Sequence, residues 1–479
     1  MNIKKKSIAK KVISFILFFV ILFFVLGITY KVLKWKDTTG NYMSSVDQLY
    51  NTDDNLIDVV FVGSSHVYCD IYPAIIWEKT GISAFNMSVS GQDKDSSYHH
   101  LVELLKTQSP KVVFVDLFGL TFDKHDVEGN LYRNLLSMKA SKNSVSLVKD
   151  YFKGTDEKVN DYITRWPIIH TRYKELTKLD YFDFKPNTFM RGEELIFDVG
   201  TAYSSPSIDA PFNPGILSDR NYEWLNSLYE LSLKEGFELV LFKTPFFSEP
   251  YNQSIIDAAS VFAEENDLAF LDLNKHISEI GLEYSTDFYD SNHTNAYGAV
   301  KLSGFISDYL TRNYDLKDHR GDSKYWQWDS DLEYYYRAKF KKALYDSDSV
   351  TQLSNRMQDE DFKDFTAVIS VEFTSAIEDE EHDYYKALKG LGMTYDDYLE
   401  GGKWIYKAGT LTKLIDNDIA KETVTYELNK YDTLSVKYTG DGKKGNVLIG
   451  ANDYSNVFYY VSVTVYDDSN ESVLVKKDF

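Results

Sequence analysis

A single cysteine, Cys69, stands among the 479 residues of the chain. That excludes an intramolecular disulfide framework and any cysteine-rich zinc site. The nine histidines are scattered, with no HExxH and no paired-histidine spacing. Calcium is no better served: the acidic run Glu378-Asp379-Glu380-Glu381 lacks the alternating ligands and central glycine of an EF-hand loop. No metal and no cofactor is therefore expected. Basic charge is also scarce, 52 Lys+Arg against 73 Asp+Glu for a net charge of −21. Residues 1–36 hold eight of the lysines and no acid, so the remaining body carries 44 basic and 73 acidic residues, or −29. Phosphate recognition needs clustered Lys and Arg, and nucleic acid is not an expected partner. Disorder is excluded in turn by 43% hydrophobic and 15% aromatic residues.

The longest apolar run lies near the start of the sequence. Residues 12–30 (VISFILFFVILFFVLGITY) contain no charge and match the length of a hydrocarbon core. Five lysines precede the run and three follow it, a bias that favours a cytoplasmic N-terminus and an extracytoplasmic body. A cleaved signal peptide is the alternative, but the apolar stretch is long for one and no small-x-small site follows before Lys31. We read residues 1–36 as a lysine-rich tail and single-pass membrane anchor, and 37–55 as a stem.

From residue 56 short apolar runs alternate with amphipathic stretches, the pattern of βα units around a parallel sheet. Strands are predicted at 56–62, 83–89, 112–117, 238–242 and 269–273. Helices are predicted at 73–81, 96–106, 222–234, 253–265 and 295–312, the first opened by Pro73 and closed by Gly81. The rhythm breaks between about 122 and 219, where an insertion, mostly helical, would form a lid or rim. The α/β domain thus spans 56–315, and 316–345 reads as linker and helix. Residues 346–479 carry short β-branched and aromatic runs divided by turn clusters, which predicts a β-rich accessory domain.

Chemistry concentrates at two places. The first strand runs into Gly63-Ser64-Ser65-His66, so a serine stands at the carboxyl edge of a parallel strand, where open α/β sheets bind ligands. A serine hydroxyl needs a base, and the base needs an orienting group. Asp290-Ser291-Asn292-His293, just before the last helix, supplies both. With this spacing the Asp290 carboxylate can fold back to the His293 Nδ1–H and leave Nε2 for the Ser65 proton. There is no G-x-S-x-G elbow. Asp116 closes the third strand, either within reach of the pocket or as a capping carboxylate. His66 either lines the site or packs at the surface. His99 and His100 fall in a predicted helix and are expected to face solvent, and Cys69 is expected to be a small buried residue.

These blocks resemble the SGNH/GDSL hydrolase superfamily over about 56–315, the insertion apart. The resemblance implies a three-layer parallel sheet flanked by helices, with Ser65 as nucleophile and His293 and Asp290 as its partners. Asn86 to Gly91 (NMSVSG) is similar to the family's second block, which implies Gly91 and Ser65 N–H groups as oxyanion donors and Asn86 near the pocket. One departure stands out. The family's third block supplies an Asn as G-x-N, whereas Phe118-Gly119-Leu120-Thr121 contains none. A lost oxyanion donor is worth a few kcal/mol in hydrolases, roughly 3–4.

With a membrane anchor and an exported body, the chain is similar to the extracytoplasmic partners of membrane-bound O-acyltransferases. That group includes the D-alanyl transfer protein and the alginate and peptidoglycan O-acetylation proteins. The resemblance implies a cell-surface polysaccharide as acceptor and a multi-pass membrane-bound O-acyltransferase as partner. An exported carbohydrate esterase with the same triad and a non-catalytic glycan-binding scaffold are the alternatives. The stretch around Val368-Ile369-Ser370-Val371, Leu388-Lys389-Gly390-Leu391-Gly392-Met393 and Gly402-Lys403-Trp404-Ile405-Tyr406, ending near Val463-Thr464-Val465-Tyr466-Asp467, is similar to the interaction domain of the interleukin-like EMT inducer type, which implies carbohydrate or partner binding.

Overall fold

Five short, mostly apolar runs form a parallel sheet in a computed structural model of the protein. The strands are β1 (Val59–Gly63), β2 (Ala84–Ser88), β3 (Val112–Asp116), β4 (Glu238–Lys243) and β5 (Ala269–Asp272), in the order β2-β1-β3-β4-β5. The structure describes all residues except 1, 35–43, 122–129, 154–158, 182–189, 201–210, 247, 373–378, 415–422, 429–432, 439–444 and 456–458. Two compact units divide the chain, Met1–Tyr335 and Tyr336–Phe479.

In the first unit, strand periodicity sorts side chains to two buried faces. Val60, Val62, Val113, Val115, Leu239 and Leu241 join one core, under the helices Lys94–Leu104, Asp219–Glu235 and Pro250–Glu265. Val59, Phe61, Val112, Phe114, Val240 and Phe242 join the other, against the helix Ala296–Asn313 through Leu302, Ile306 and Leu310. The architecture is therefore three layers. Helix boundaries follow local chemistry. Pro73 opens the helix Pro73–Thr80 and Gly81 ends it at φ 70°. Asp93 accepts the Ser96 N–H at 2.7 Å, so the helix predicted from 96 starts at Lys94.

The insertion is helical over Asn130–Ser137, Lys142–Tyr151, Val159–Thr164 and Trp166–Ile169, and then irregular over 190–200. It overturns one expectation. His99 and His100 are buried, not solvent-facing, because insertion helices cover that face of Lys94–Leu104. The His99 ring nitrogens meet Asn143 Oδ1 at 2.7 Å and Asp150 Oδ2 at 2.8 Å. His100 meets Gln92 Oε1 at 2.9 Å, and burial pushes its pKa down to about 4. Within the segment read as stem, the helix Ser44–Tyr50 places Val46 and Leu49 in the sheet core.

The N-terminal helix runs Asn2–Leu33. Its portion Lys10–Leu33 is long and apolar enough to cross a membrane, with mean hydropathy 3.0.

The second unit is rich in antiparallel β-structure. A five-stranded sheet has the order β14-β13-β6-β7-β8, from β6 (Phe365–Val371), β7 (Gly402–Lys407), β8 (Thr410–Lys413), β13 (Val461–Asp467) and β14 (Ser472–Asp478). A four-stranded sheet, β12-β11-β10-β9, comprises β9 (Thr423–Glu427), β10 (Thr433–Tyr438), β11 (Gly445–Ile449) and β12 (Asn452–Asp453). Alternate β6 residues face opposite cores: Ala367 and Ile369 lie with the helices Val350–Met357 and Asp383–Gly390, and Val368 lies with Leu434 and Val447 of the smaller sheet.

Candidate active site

The strand order reverses between β1 and β3, and open α/β sheets take their ligands outside the carboxyl ends of the strands at such a point. β1 ends there at Gly63. A Cβ at Gly63 would meet Val67 Cγ2 at 2.5 Å and Asp116 Cβ at 2.7 Å, so only glycine lets β1 turn this tightly beside β3. Ser64 follows in extended conformation and Ser65 opens the short helix Ser65–Asp70.

The second component is the turn before Ala296–Asn313. Phe288 and Thr294 form an antiparallel bridge, and Asp290 Oδ1 accepts the N–H groups of Asn292 at 2.8 Å and His293 at 2.9 Å. The turn is rigidly closed, and the carboxylate that closes it also faces the ring. His293 Nδ1 donates to Asp290 Oδ1 at 2.9 Å and Oδ2 at 3.0 Å. On the far side of the ring, the Ser65 hydroxyl donates to His293 Nε2 at 2.8 Å. Three side chains selected from sequence spacing thus form one continuous hydrogen-bonded line.

Electrostatics suit a proton relay. Partial burial works against the Asp290 carboxylate, but the His293 hydrogen bond and charge and two backbone N–H groups outweigh it, and its pKa lies below the ordinary value. Burial likewise disfavours a charged His293. The hydrogen bond to Asp290 and the charges of Asp70, Asp290 and Glu194 outweigh that penalty and raise its pKa.

The other residues singled out from the sequence take different places. His66 is 1% exposed, its ring centroid 4.0 Å from Phe118, 4.5 Å from Phe246 and 5.0 Å from His293. It backs the His293 ring inside the protein and is not at the surface. Burial, then the charges of His293 and Lys243, hold its pKa well below ordinary. Asn86 is fully buried and gives its amide to the Ile71 carbonyl at 2.8 Å, tying β2 to the end of the Ser65–Asp70 helix. Asp116 caps the turn after β3 through the N–H groups of Leu117 and Phe118, and burial pushes its carboxyl up to about 7. Gly91, at φ 65°, lies in the turn after β2. The pairing of Gly63 with Ser88 puts that turn on the same sheet edge as Ser65. The turn after β3 offers no Asn, and the Thr121 hydroxyl is engaged with the Phe118 carbonyl at 2.8 Å. Cys69 is buried, which raises its thiol pKa well above ordinary. Among the described residues, no group of three or more His, Cys, Asp or Glu side chains is placed to hold a metal ion.

Several contributors escaped the sequence reading. The irregular segment 190–200 is a strap across the site. The Asn86 N–H donates to Arg191 O at 2.8 Å and the Glu194 N–H to Tyr68 O at 2.8 Å. The Ala296 N–H donates to Ile196 O at 2.7 Å and the Gly200 N–H to Phe288 O at 3.0 Å. The strap therefore links β2, the Ser65 helix and the His293 turn. Asp70 and Lys243 are fully buried, Asp70 against Thr294 beside His293 and Lys243 at the end of β4. Lys243 lies 3.9 Å from Asp272 and 4.4 Å from the Phe246 ring centroid, and burial lowers its pKa to about 8. The one available signal was a charged residue closing an apolar strand or an apolar helix turn.

No protein-family model and no curated protein matches the sequence. Among solved structures, the chain is similar to a candidate acylhydrolase from Bacteroides fragilis NCTC 9343, with 14% identity and a TM-score of 0.28 over 58% of this chain and 99% of that chain.

Proposed function

We propose that the protein is a membrane-anchored, extracytoplasmic SGNH-type O-acyltransferase that modifies a cell-surface polysaccharide through an acyl-enzyme on Ser65. The observation carrying this reading is the hydrogen-bonded line from Ser65 through His293 to Asp290. His293 Nε2 takes the Ser65 proton as Oγ attacks the acyl carbonyl, and Asp290 stabilises the imidazolium that forms. On this reading the N–H groups of Ser65 and Gly91 are the donors to the developing oxyanion, as the family resemblance implies. Collapse breaks the bond to the donor's leaving group, which departs with the proton from His293. A sugar hydroxyl then gives its proton to His293 and attacks the ester, and collapse returns that proton to Ser65 Oγ. Water in place of the sugar completes hydrolysis by the same steps.

The apolar helix supports a tether, which raises the effective concentration of the domain at a donor delivered by a multi-pass membrane partner. The absent third-block Asn takes an oxyanion donor from acylation and deacylation alike, which points away from a fast free esterase of the usual kind. A body charge of −29 disfavours a polyanionic acceptor, so a neutral or weakly charged polysaccharide is the substrate class.

The deciding experiment treats the full chain in detergent with an activated acetyl ester, with and without a neutral oligosaccharide. An acetyl adduct on the Ser65 peptide that passes to the sugar supports the reading, and its passage to water alone supports an esterase. Wild-type protein that forms no adduct overturns both and leaves a binding scaffold.

A further inference from the structure

The Ser65–Asp70 helix carries the nucleophile at its first residue and a fully buried carboxylate at its last. Asp70 Oδ1 accepts the Thr294 N–H at 2.8 Å and the Thr294 hydroxyl at 2.9 Å. Thr294 directly follows His293, so one short helix holds both the nucleophile and the residue that anchors its base. Two hydrogen bonds to one oxygen of an ordinarily costly buried carboxyl mark a built contact.

We infer that Asp70 is a positioning residue for His293, a second carboxylate that fixes the histidine turn against the nucleophile helix and faces the imidazolium with negative charge. This rests on the acyl-enzyme reading above. It gives His293 two carboxylates with different tasks: Asp290 orients Nδ1, and Asp70 sets the distance to Ser65 and shares the counter-charge. Burial raises the Asp70 carboxyl to about 7, opposed by the His293 charge and by hydrogen bonds from Thr294 and the Thr244 side chain. The charge of Asp70 in turn raises the His293 pKa. Other titratable groups face the pair from neighbouring elements. Asp290 and Glu194 also raise His293, the His66 ring lies 5.0 Å from the His293 ring, Cys69 precedes Asp70 on its helix, and Asp116 stands at the end of β3.

The test follows two reactions of the full chain in detergent across pH: labelling of Ser65 by a fluorophosphonate, and modification of His293 by diethyl pyrocarbonate read on its own peptide. Asp70→Asn retains an oxygen for both Thr294 donors and removes the charge. The expected result is a shift of both acid limbs to lower pH, with Ser65 labelling on the plateau slowed roughly tenfold, the equivalent of one pKa unit of interaction. Thr294→Val removes one donor to the Asp70 carboxylate, favours its neutral form, and shifts both limbs in the same direction by less. A purely structural contact would lower the plateau and leave the limbs in place. Limbs unmoved in both variants overturn the inference. If wild-type Ser65 resists the fluorophosphonate, the acyl-enzyme reading fails, and the His293 modification profile still decides the role of Asp70.

Discussion

Gly200 lies against Tyr289 so closely that a Cβ at position 200 would stand 1.8 Å from the Tyr289 carbonyl oxygen. Tyr289 precedes Asp290, so the insertion's strap sets the height of the turn that carries both Asp290 and His293. Gly200→Ala must displace that turn or the strap and so disturb the placement of His293 against Ser65. Misplacement of a reacting group by about 1 Å costs on the order of 10²-fold in rate. Esterase assays of Gly200→Ala are expected to show such a loss in kcat together with a lowered melting temperature, since the clash is with backbone and overpacking of this kind costs about 1–3 kcal/mol.

Ser65→Ala and His293→Ala are expected to reduce turnover of an activated acetyl ester by roughly 10⁴–10⁶-fold, and the double variant by hardly more than either single one, because the groups act as a unit. Circular dichroism should match the wild type, since both side chains lie at the edge of the sheet and outside its apolar cores. Near-additive effects of the two substitutions would contradict a shared relay.

The pH profile follows from the sign of the His293 shift. His293 must be neutral to accept the Ser65 proton. Burial lowers its pKa from 6.5, but the Asp290 hydrogen bond and the Asp70, Asp290 and Glu194 charges outweigh burial and raise it. Activity should therefore rise with pH through a midpoint above 6.5. Asp290→Asn removes the hydrogen-bonded charge and should move that midpoint down while lowering the plateau. A profile with its midpoint below that of an unperturbed histidine, about 6.5, would count against the geometry.

Stability rests in part on Arg191 at the start of the strap. Its Nε donates to Asp331 Oδ2 at 2.9 Å, with side chains 3% and 0% exposed, and its guanidinium lies 5.5 Å from the Trp328 ring centroid. Arg191→Met strands a buried carboxyl, which costs about 3–5 kcal/mol. Pairing it with Asp331→Leu should recover most of that loss. Chemical denaturation of the two variants measures the difference.

Membrane association is tested by deleting 2–33. The full chain should remain in the membrane pellet after alkaline carbonate extraction, and the shortened chain should appear in the supernatant. Retention of both in the pellet would show that the helix Asn2–Leu33 is not the anchor.

The sequence by itself determined whatever local chemistry controls. β1 and β3 were legible because both faces of a central strand are buried and Val-Val-Phe-Val suits only that place. Helix starts at Pro73 and Asn295 were legible because proline and a capping Asn act within three residues. The Asp290–His293 pair was legible for the same reason: carboxylate and ring share one turn. Tertiary structure alone decided what depends on remote packing. It brought Ser65 within 2.8 Å of a histidine 228 residues away. It buried His99 and His100 beneath the insertion, although a surface helix carries no mark of what will cover it. It also laid 190–200 across the site and set Asp70 under Thr294, two contacts with no periodicity to betray them. A side chain's exposure is set by which element arrives opposite it, and that is a property of the assembled chain.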